Sequence, residues 1–226
     1  MNEKNIVVIG GNSGIGKGIV ALLEEKGAQV FKYSSSQSGN SHLDITEDFQ
    51  EIEGLPDAIH GLVYCPGTIH LKPFHRFSIS EFQSDIEINF LGAVKVLQAA
   101  QKGLKKSSGS SVVLFSTVAV QTGMGFHSSI ASAKGAVEGL CRSLAAEWAS
   151  FDIRVNAIAP SLTDTPLADP LLSNEEKKLA ASKRHPLGRY GTVEDIAEAA
   201  YYLLSDKSSW MTGQVLKVDG GMSTLK

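Results

Sequence analysis

The chain has 226 residues, a formal net charge of −3 and a 42% hydrophobic fraction. That length suits one well-buried α/β domain and is short for two. The near-neutral charge gives no electrostatic case for nucleic acid or an anionic membrane, and no uncharged apolar run approaches bilayer-spanning length.

The first predicted element is a buried strand, the apolar run Ile6–Ile9. It enters the turn Gly10-Gly11-Asn12-Ser13-Gly14-Ile15-Gly16, which carries almost no side chains, and leaves it as a helix over Gly16–Lys26. The first helical turn has unpaired N–H groups and the positive end of the macrodipole, so it attracts an anion. Glycines let a pyrophosphate come close to the backbone. The spacing is G-x-x-x-G-x-G, not the G-x-G-x-x-G of the common dinucleotide fingerprint, and the strand–turn–helix context carries the reading.

A second strand is predicted at Gln29–Tyr33, then a polar stretch Ser34–Ser41 and a short strand-like His42–Leu43 before Asp44. Tyr33 and Asp44 are too close for a crossover helix, so one helix of the standard pattern is expected to be missing. The chain then alternates: strand Gly61–Cys65, long helix Phe82–Lys102, strand Ser111–Ser116, helix Ser132–Ala149, strand Arg154–Ile158, helix Val193–Leu204 and strand Val215–Val218. Near-continuous Val/Ile strands alternating with helices imply a single-domain, Rossmann-type α/β fold, a doubly wound parallel sheet with helices on both faces. The segment Pro166–Arg189 interrupts this order. It is charged (Glu175, Glu176, Lys177, Lys178) and bracketed by Pro166, Pro170 and Pro186. It reads as a solvated surface helix and, across 162–190, as a lid over a site at the strand ends. Cys65 and Cys141 form no ligand cluster and no metal site is expected. With a strand starting at once and no signal-peptide pattern, the expected location is cytoplasmic.

These residues resemble the single-domain short-chain dehydrogenase/reductases along nearly the whole chain. The family pattern T-G-x-x-x-G-x-G is similar to Ile9–Gly16, with Ile9 in the place of threonine. Leu43-Asp44-Ile45-Thr46 resembles the acidic turn that holds adenine, and Ile88-Asn89-Phe90-Leu91-Gly92 the helix motif with its structural, proton-relay asparagine. Asn156-Ala157-Ile158-Ala159-Pro160, followed by Leu162 and Thr165, resembles the segment that grips the nicotinamide amide. Trp210–Gln214 and Val218–Gly221 resemble the C-terminal signature. The resemblance implies that Gly10, Asn12, Ser13, Gly14, Ile15, Gly16, Asp44, Ile45, Pro160, Leu162 and Thr165 hold a nicotinamide dinucleotide. It implies the same for Cys65, Pro66 and Gly67, where Tyr64-Cys65-Pro66-Gly67 replaces the family's N-N-A-G.

Two departures bear on chemistry. The family's P-G is Pro160-Ser161, and its Y-x-x-x-K reads Ile130-Ala131-Ser132-Ala133-Lys134, with no tyrosine. In the family the tyrosine exchanges the proton on the substrate oxygen while hydride moves, the lysine lowers its pKa and binds the ribose, and a serine holds the carbonyl. Isoleucine has no ionisable group, so acid–base work at Ile130 is impossible. Lys134 keeps the ribose hydroxyls as its reason, and Asn89 can organise a water chain toward it. Thr117, with Ser116 beside it, falls at the serine position and can donate or accept as serine does. His127, three residues before Ile130, is the candidate replacement acid; the alternative is a polar residue at a helix entry. Tyr64 is a weaker stand-in, its strand end expected to point toward the cofactor. His70, His75 and His185 read as solvated loop histidines.

Cofactor choice falls at the end of the second strand, where a carboxylate would select NAD(H). Ser34 and Ser35 stand there, with Lys32 nearby; the expectation is NADP(H), with NAD(H) possible. The leading reading is an oxidoreductase for a small-molecule carbonyl or alcohol, its proton moving through water, His127 or Lys134. The alternatives are a non-catalytic nucleotide-binding protein and a lyase or isomerase in the same pocket. A homodimer or homotetramer is expected from the family's helix faces.

Overall fold

The computed structural model describes residues 1–37 and 39–225; Ser38, in the polar stretch, and Lys226 lie outside the described residues. Six strands form one parallel sheet: β1 (Asn5–Ile9), β2 (Gln29–Tyr33), β3 (Gly61–Tyr64), β4 (Ser110–Phe115), β5 (Ile153–Pro160) and β6 (Val215–Val218). Their order is β2-β1-β3-β4-β5-β6. The chain therefore reverses winding beside β1, and a crevice opens beyond the carboxyl ends of β1 and β3, where such sheets bind ligands.

Seven α-helices are described: α1 (Gly14–Glu25), α2 (Ile79–Ile86), α3 (Gly92–Lys106), the short α4 (Ala119–Thr122), α5 (Ser128–Trp148), α6 (Glu175–Lys183) and α7 (Val193–Leu204). Strand side chains alternate between two cores. Ile6, Val8, Val63 and Val113 meet α1 and α7, while Val7, Ile9, Leu62 and Val112 meet α3 and α5.

Between β2 and β3 the only helical turn among the described residues is a 3₁₀ turn, Gly39–Ser41, and Ser34 pairs with His42 as an isolated parallel bridge. The expected missing helix is thus replaced by a vestige of strand and three residues of 3₁₀ turn.

The expected single helix Phe82–Lys102 is instead two α-helices joined by a wider π-helical turn, Glu87–Leu91. It starts early because Ser78 and Glu81 form a capping box, the Ser78 hydroxyl accepting from the Glu81 N–H at 3.3 Å. At the π turn the Ile88 carbonyl accepts from the Tyr64 hydroxyl at 2.6 Å. Gly92 follows because a Cβ there would strike that hydroxyl and Ile45. Likewise α5 begins at Ser128, four residues before the expected start, which makes His127 its N-cap residue.

Candidate functional site

The turn after β1 shapes a phosphate-sized cradle. Gly10 has φ +77°, a conformation that favours glycine, and a Cβ on Gly16 would collide with the Gly10 carbonyl. Ser13 occupies the cap position of α1, yet its hydroxyl makes no cap bond and no acidic residue stands in the first turn. The helix therefore presents uncapped amides, the condition that favours a bound anion.

These residues open a groove of about 530 Å³. Gly10, Asn12, Ser13, Gly14, Ile15 and Gly16 form one wall. Ser34, Ser35, Asp44 and Ile45 close the far end, and Cys65, Pro66, Gly67 and Thr165 the near one. A second cavity of about 250 Å³ adjoins it, sharing Ile15, Cys65, Gly67, Thr68, Thr165 and Leu167. That cavity is mostly apolar and includes Thr117, His127, Ile130, Lys134, Pro160 and Leu162. The residues expected to hold the dinucleotide, and Thr117, His127 and Lys134, each line one of these two spaces; Asn89, Lys32 and Tyr64 line neither.

At the far end the polar groups are tied together. Asn12 Nδ2 donates to Ser34 Oγ at 3.2 Å and to Ser36 Oγ at 3.0 Å, and Gln37 Nε2 donates to Asn12 Oδ1 at 2.8 Å. Asp44 accepts from the Thr46 N–H at 2.9 Å and its hydroxyl at 2.7 Å, which holds the carboxyl below its ordinary range. Lys32 is exposed and forms no part of the groove wall.

Lys134, one helical turn after Ile130, is 7% exposed, and no described residue accepts a hydrogen bond from its ammonium. Burial pushes it down to about 8, against the opposing pull of Cys65 and Asp85. The Cys65 thiol is pushed up to about 12 by burial, with Lys134 opposing. A buried ammonium without a described acceptor, in a cavity that adjoins the groove of uncapped amides and glycines, fits a ligand that brings both phosphate and sugar hydroxyls.

Thr117 lines the cavity and accepts from the Ala119 N–H at 3.3 Å; Ser116 beside it also borders the cavity, but its hydroxyl is committed to buried Glu138, to which it donates at 2.8 Å. Asn89 is buried in the π turn. Its amide donates to Thr68 Oγ1 and to the Asp85 carbonyl, each at 2.8 Å. His127 lines the cavity with Nδ1 2.6 Å from the Gly125 carbonyl, leaving Nε2 uncommitted.

Three expectations are corrected. Tyr64 does not point toward the groove; it is buried against α3, where its hydroxyl is held by Ile88. His185 is no solvated loop residue: it is buried and lines the cavity. His70 is half-exposed but anchored, Nδ1 lying 2.7 Å from Asp85. Asp85, which the sequence reading missed, is fully buried and also accepts from the Thr68 and Ser129 hydroxyls at 2.5 Å each. A carboxylate on the buried side of a helix was the available signal.

A family model described as enoyl-(acyl carrier protein) reductase matches residues 9–223. A tropinone reductase homologue of Arabidopsis thaliana is 35% identical, over 97% of this chain and 92% of its own length. A short-chain type dehydrogenase/reductase from Mycobacterium ulcerans superposes with a TM-score of 0.90 at 28% identity, covering 100% of this chain and 92% of that one. The chain belongs to the short-chain dehydrogenase/reductase family. ElxO, solved with NADP bound, also superposes, with a TM-score of 0.85 at 25% identity over 97% of this chain and 98% of its own. As a short-chain dehydrogenase/reductase the chain falls among NAD(P)-dependent oxidoreductases, and its groove and cavity lie at the strand ends where that fold holds ligands.

Proposed function

We propose that this protein is an NADP(H)-dependent reductase or dehydrogenase for a small-molecule carbonyl or alcohol, with Ile130 in the place of the family's catalytic tyrosine. The observation that carries it is the Lys134 ammonium, buried and without a described acceptor where groove and cavity meet. Gly10, Gly14 and Gly16 admit the diphosphate to the amides of α1, Lys134 takes the ribose hydroxyls, and Pro160, Leu162 and Thr165 border the nicotinamide end. A bound nicotinamide supplies or takes the hydride. Thr117 holds the substrate oxygen, and Asn89 fixes the π turn behind Lys134 through Thr68 and Asp85.

NADP(H) is favoured because the far end of the groove has hydroxyls and amides from Asn12, Ser34, Ser35 and Ser36 where an NAD-selecting carboxylate would stand. The NADP bound to ElxO supports the same choice. Residues 162–190 act as the lid, contributing Leu162, Leu167, Ala168 and Leu171 to the cavity, and the protein assembles as a dimer or tetramer. Ile130, 5% exposed and on the cavity wall, has no proton to give. The proton comes instead from the wall, where two imidazoles stand: half-buried His127 and buried His185.

The test is a pair of measurements. NADPH is titrated by fluorescence and is expected to bind more tightly than NADH; equal affinities overturn the cofactor choice. Carbonyl probes are then screened against the native chain and Ile130→Tyr. Turnover in the native chain supports an oxidoreductase with its own proton donor, and turnover confined to Ile130→Tyr identifies a nucleotide-binding protein that has lost the chemistry.

A further inference from the structure

A serine and a histidine on the cavity wall form a pair that the family resemblance does not account for. Ser161, just past β5, and His185, just past α6, both border the cavity, with Ser161 Oγ 2.9 Å from His185 Nε2. The other ring nitrogen, Nδ1, is 2.7 Å from the Ala181 carbonyl oxygen. A carbonyl only accepts, so Nδ1 carries a proton in either charge state. In the neutral ring Nε2 is therefore bare and receives the Ser161 proton. In the charged ring Nε2–H donates to Ser161 Oγ, and the hydroxyl proton is released to turn elsewhere. Met222 Sδ, 2.9 Å from the same oxygen, is a weak competitor. With His185 only 3% exposed, its ring is held by packing as well as by these bonds.

Resting on the oxidoreductase reading above, we propose that Ser161, backed by His185, exchanges the proton with the substrate oxygen in this cavity. Two departures from the family pattern then compensate each other: Ile130 removes a phenol, and Ser161 adds a hydroxyl where the family has glycine. In reduction the carbonyl carbon gains the hydride, and the carbonyl oxygen takes the Ser161 proton as a new O–H bond. Ser161 regains a proton from His185 Nε2, which leaves the imidazole neutral, and solvent later returns one proton to Nε2. Oxidation runs the same transfers backwards. A cavity of about 120 Å³ on the other side of the pair gives solvent its route. The charged groups around the pair are Arg184 next in the chain, the Arg189–Asp195 ion pair, Asp219 in the smaller cavity and Lys134 in the larger. Ser161 is thus the catalytic residue and His185 a positioning residue that acts through it, the nucleophile–base–orienter geometry put to proton transfer.

The test uses the full chain with NADPH and 9,10-phenanthrenequinone as carbonyl probe. Ser161→Ala and His185→Gln are each expected to lower kcat about 100-fold or more while NADPH affinity stays within about twofold. The double variant is expected to be no slower than the slower single one, because the pair acts as a unit. Any pH dependence of native kcat that reports the Ser161–His185 pair is expected to be absent from Ser161→Ala, which a merely structural role would not produce. Independently of turnover, long-range ¹H–¹⁵N spectra of the free protein are expected to show neutral His185 protonated on Nδ1, with the Nε2 resonance moving in Ser161→Gly. Should His185→Gln fail to fold, the two Ser161 variants decide alone. The proposal is overturned by native kcat in Ser161→Ala, by a neutral ring protonated on Nε2, or by a larger loss in His127→Ala than in Ser161→Ala. It is overturned too by a native chain that binds NADPH and reduces no quinone. Failure to bind either NADPH or NADH is a different result, which removes the oxidoreductase reading beneath it.

Discussion

Lys134 has lost most of its water and gained no acceptor among the described residues, so its charge is held at a cost that a ligand relieves. Between about 8 and 10.5 the unfolded chain keeps this proton while the folded one releases it. Stability therefore rises with pH through that window relative to a variant without the amine, and below it the cost is constant. Urea denaturation of native chain and Lys134→Met at both ends of the window is expected to show the native chain gaining on the variant, while Lys134→Met loses NADPH affinity. Asp85 is the opposite case, a buried charge met by three donors from Thr68, His70 and Ser129. Asp85→Ala is expected to cost about 3 kcal/mol in the same measurement, because those donors are left unmet. The resemblance to the family's Y-x-x-x-K pattern pointed to Lys134, whereas Asp85, whose partners lie 15, 17 and 44 residues away, was missed. Ser161 and His185 were legible as residue types and not as a pair, for nothing local announces a contact across 24 positions.

Elements were legible where a period or a turn signal is strong. β2, α7 and β6 begin and end where the apolar pattern does. The junction of α2 and α3 was not, because a π turn inserts a residue without disturbing the apolar stripe that flanks it. What marks it is tertiary: the Tyr64 hydroxyl donates to the Ile88 carbonyl, and Gly92 makes room for that hydroxyl. Tyr64→Phe leaves that buried carbonyl without its partner and is expected to cost about 2 kcal/mol. Amide exchange should quicken at 87–91 in the variant, and unchanged exchange would show that the π turn stands without the phenol. Burial also raises the Tyr64 pKa well above its ordinary value, which keeps that hydroxyl a donor at any working pH.

For the whole molecule, alternating strands and helices sufficed to give a parallel doubly wound sheet, and the short β2–Asp44 interval gave its one omission. How copies meet is less legible, since a surface has no period. The two tryptophans offer a way to see it. Trp148 is 3% exposed and Trp210 is 99% exposed, immediately before the Met211–Gln214 approach to β6. If assembly covers that face, emission shifts to the blue as concentration rises, and Trp210→Ser abolishes the shift and lowers the sedimentation coefficient. A concentration-independent spectrum with a monomer's sedimentation would count against a dimer or tetramer through this surface.

The three-residue 3₁₀ turn at Gly39–Ser41 has a practical consequence for chemistry on the nucleotide itself. With the dinucleotide held as proposed, a full crossover helix would roof the base, and so short a turn would leave its outer edge to water. Analogues carrying a long spacer on the exocyclic amine should then dock as readily as the parent compound. A column bearing the dinucleotide through that amine should retain the protein and release it to free NADPH, whereas one coupled through the ribose should let it pass.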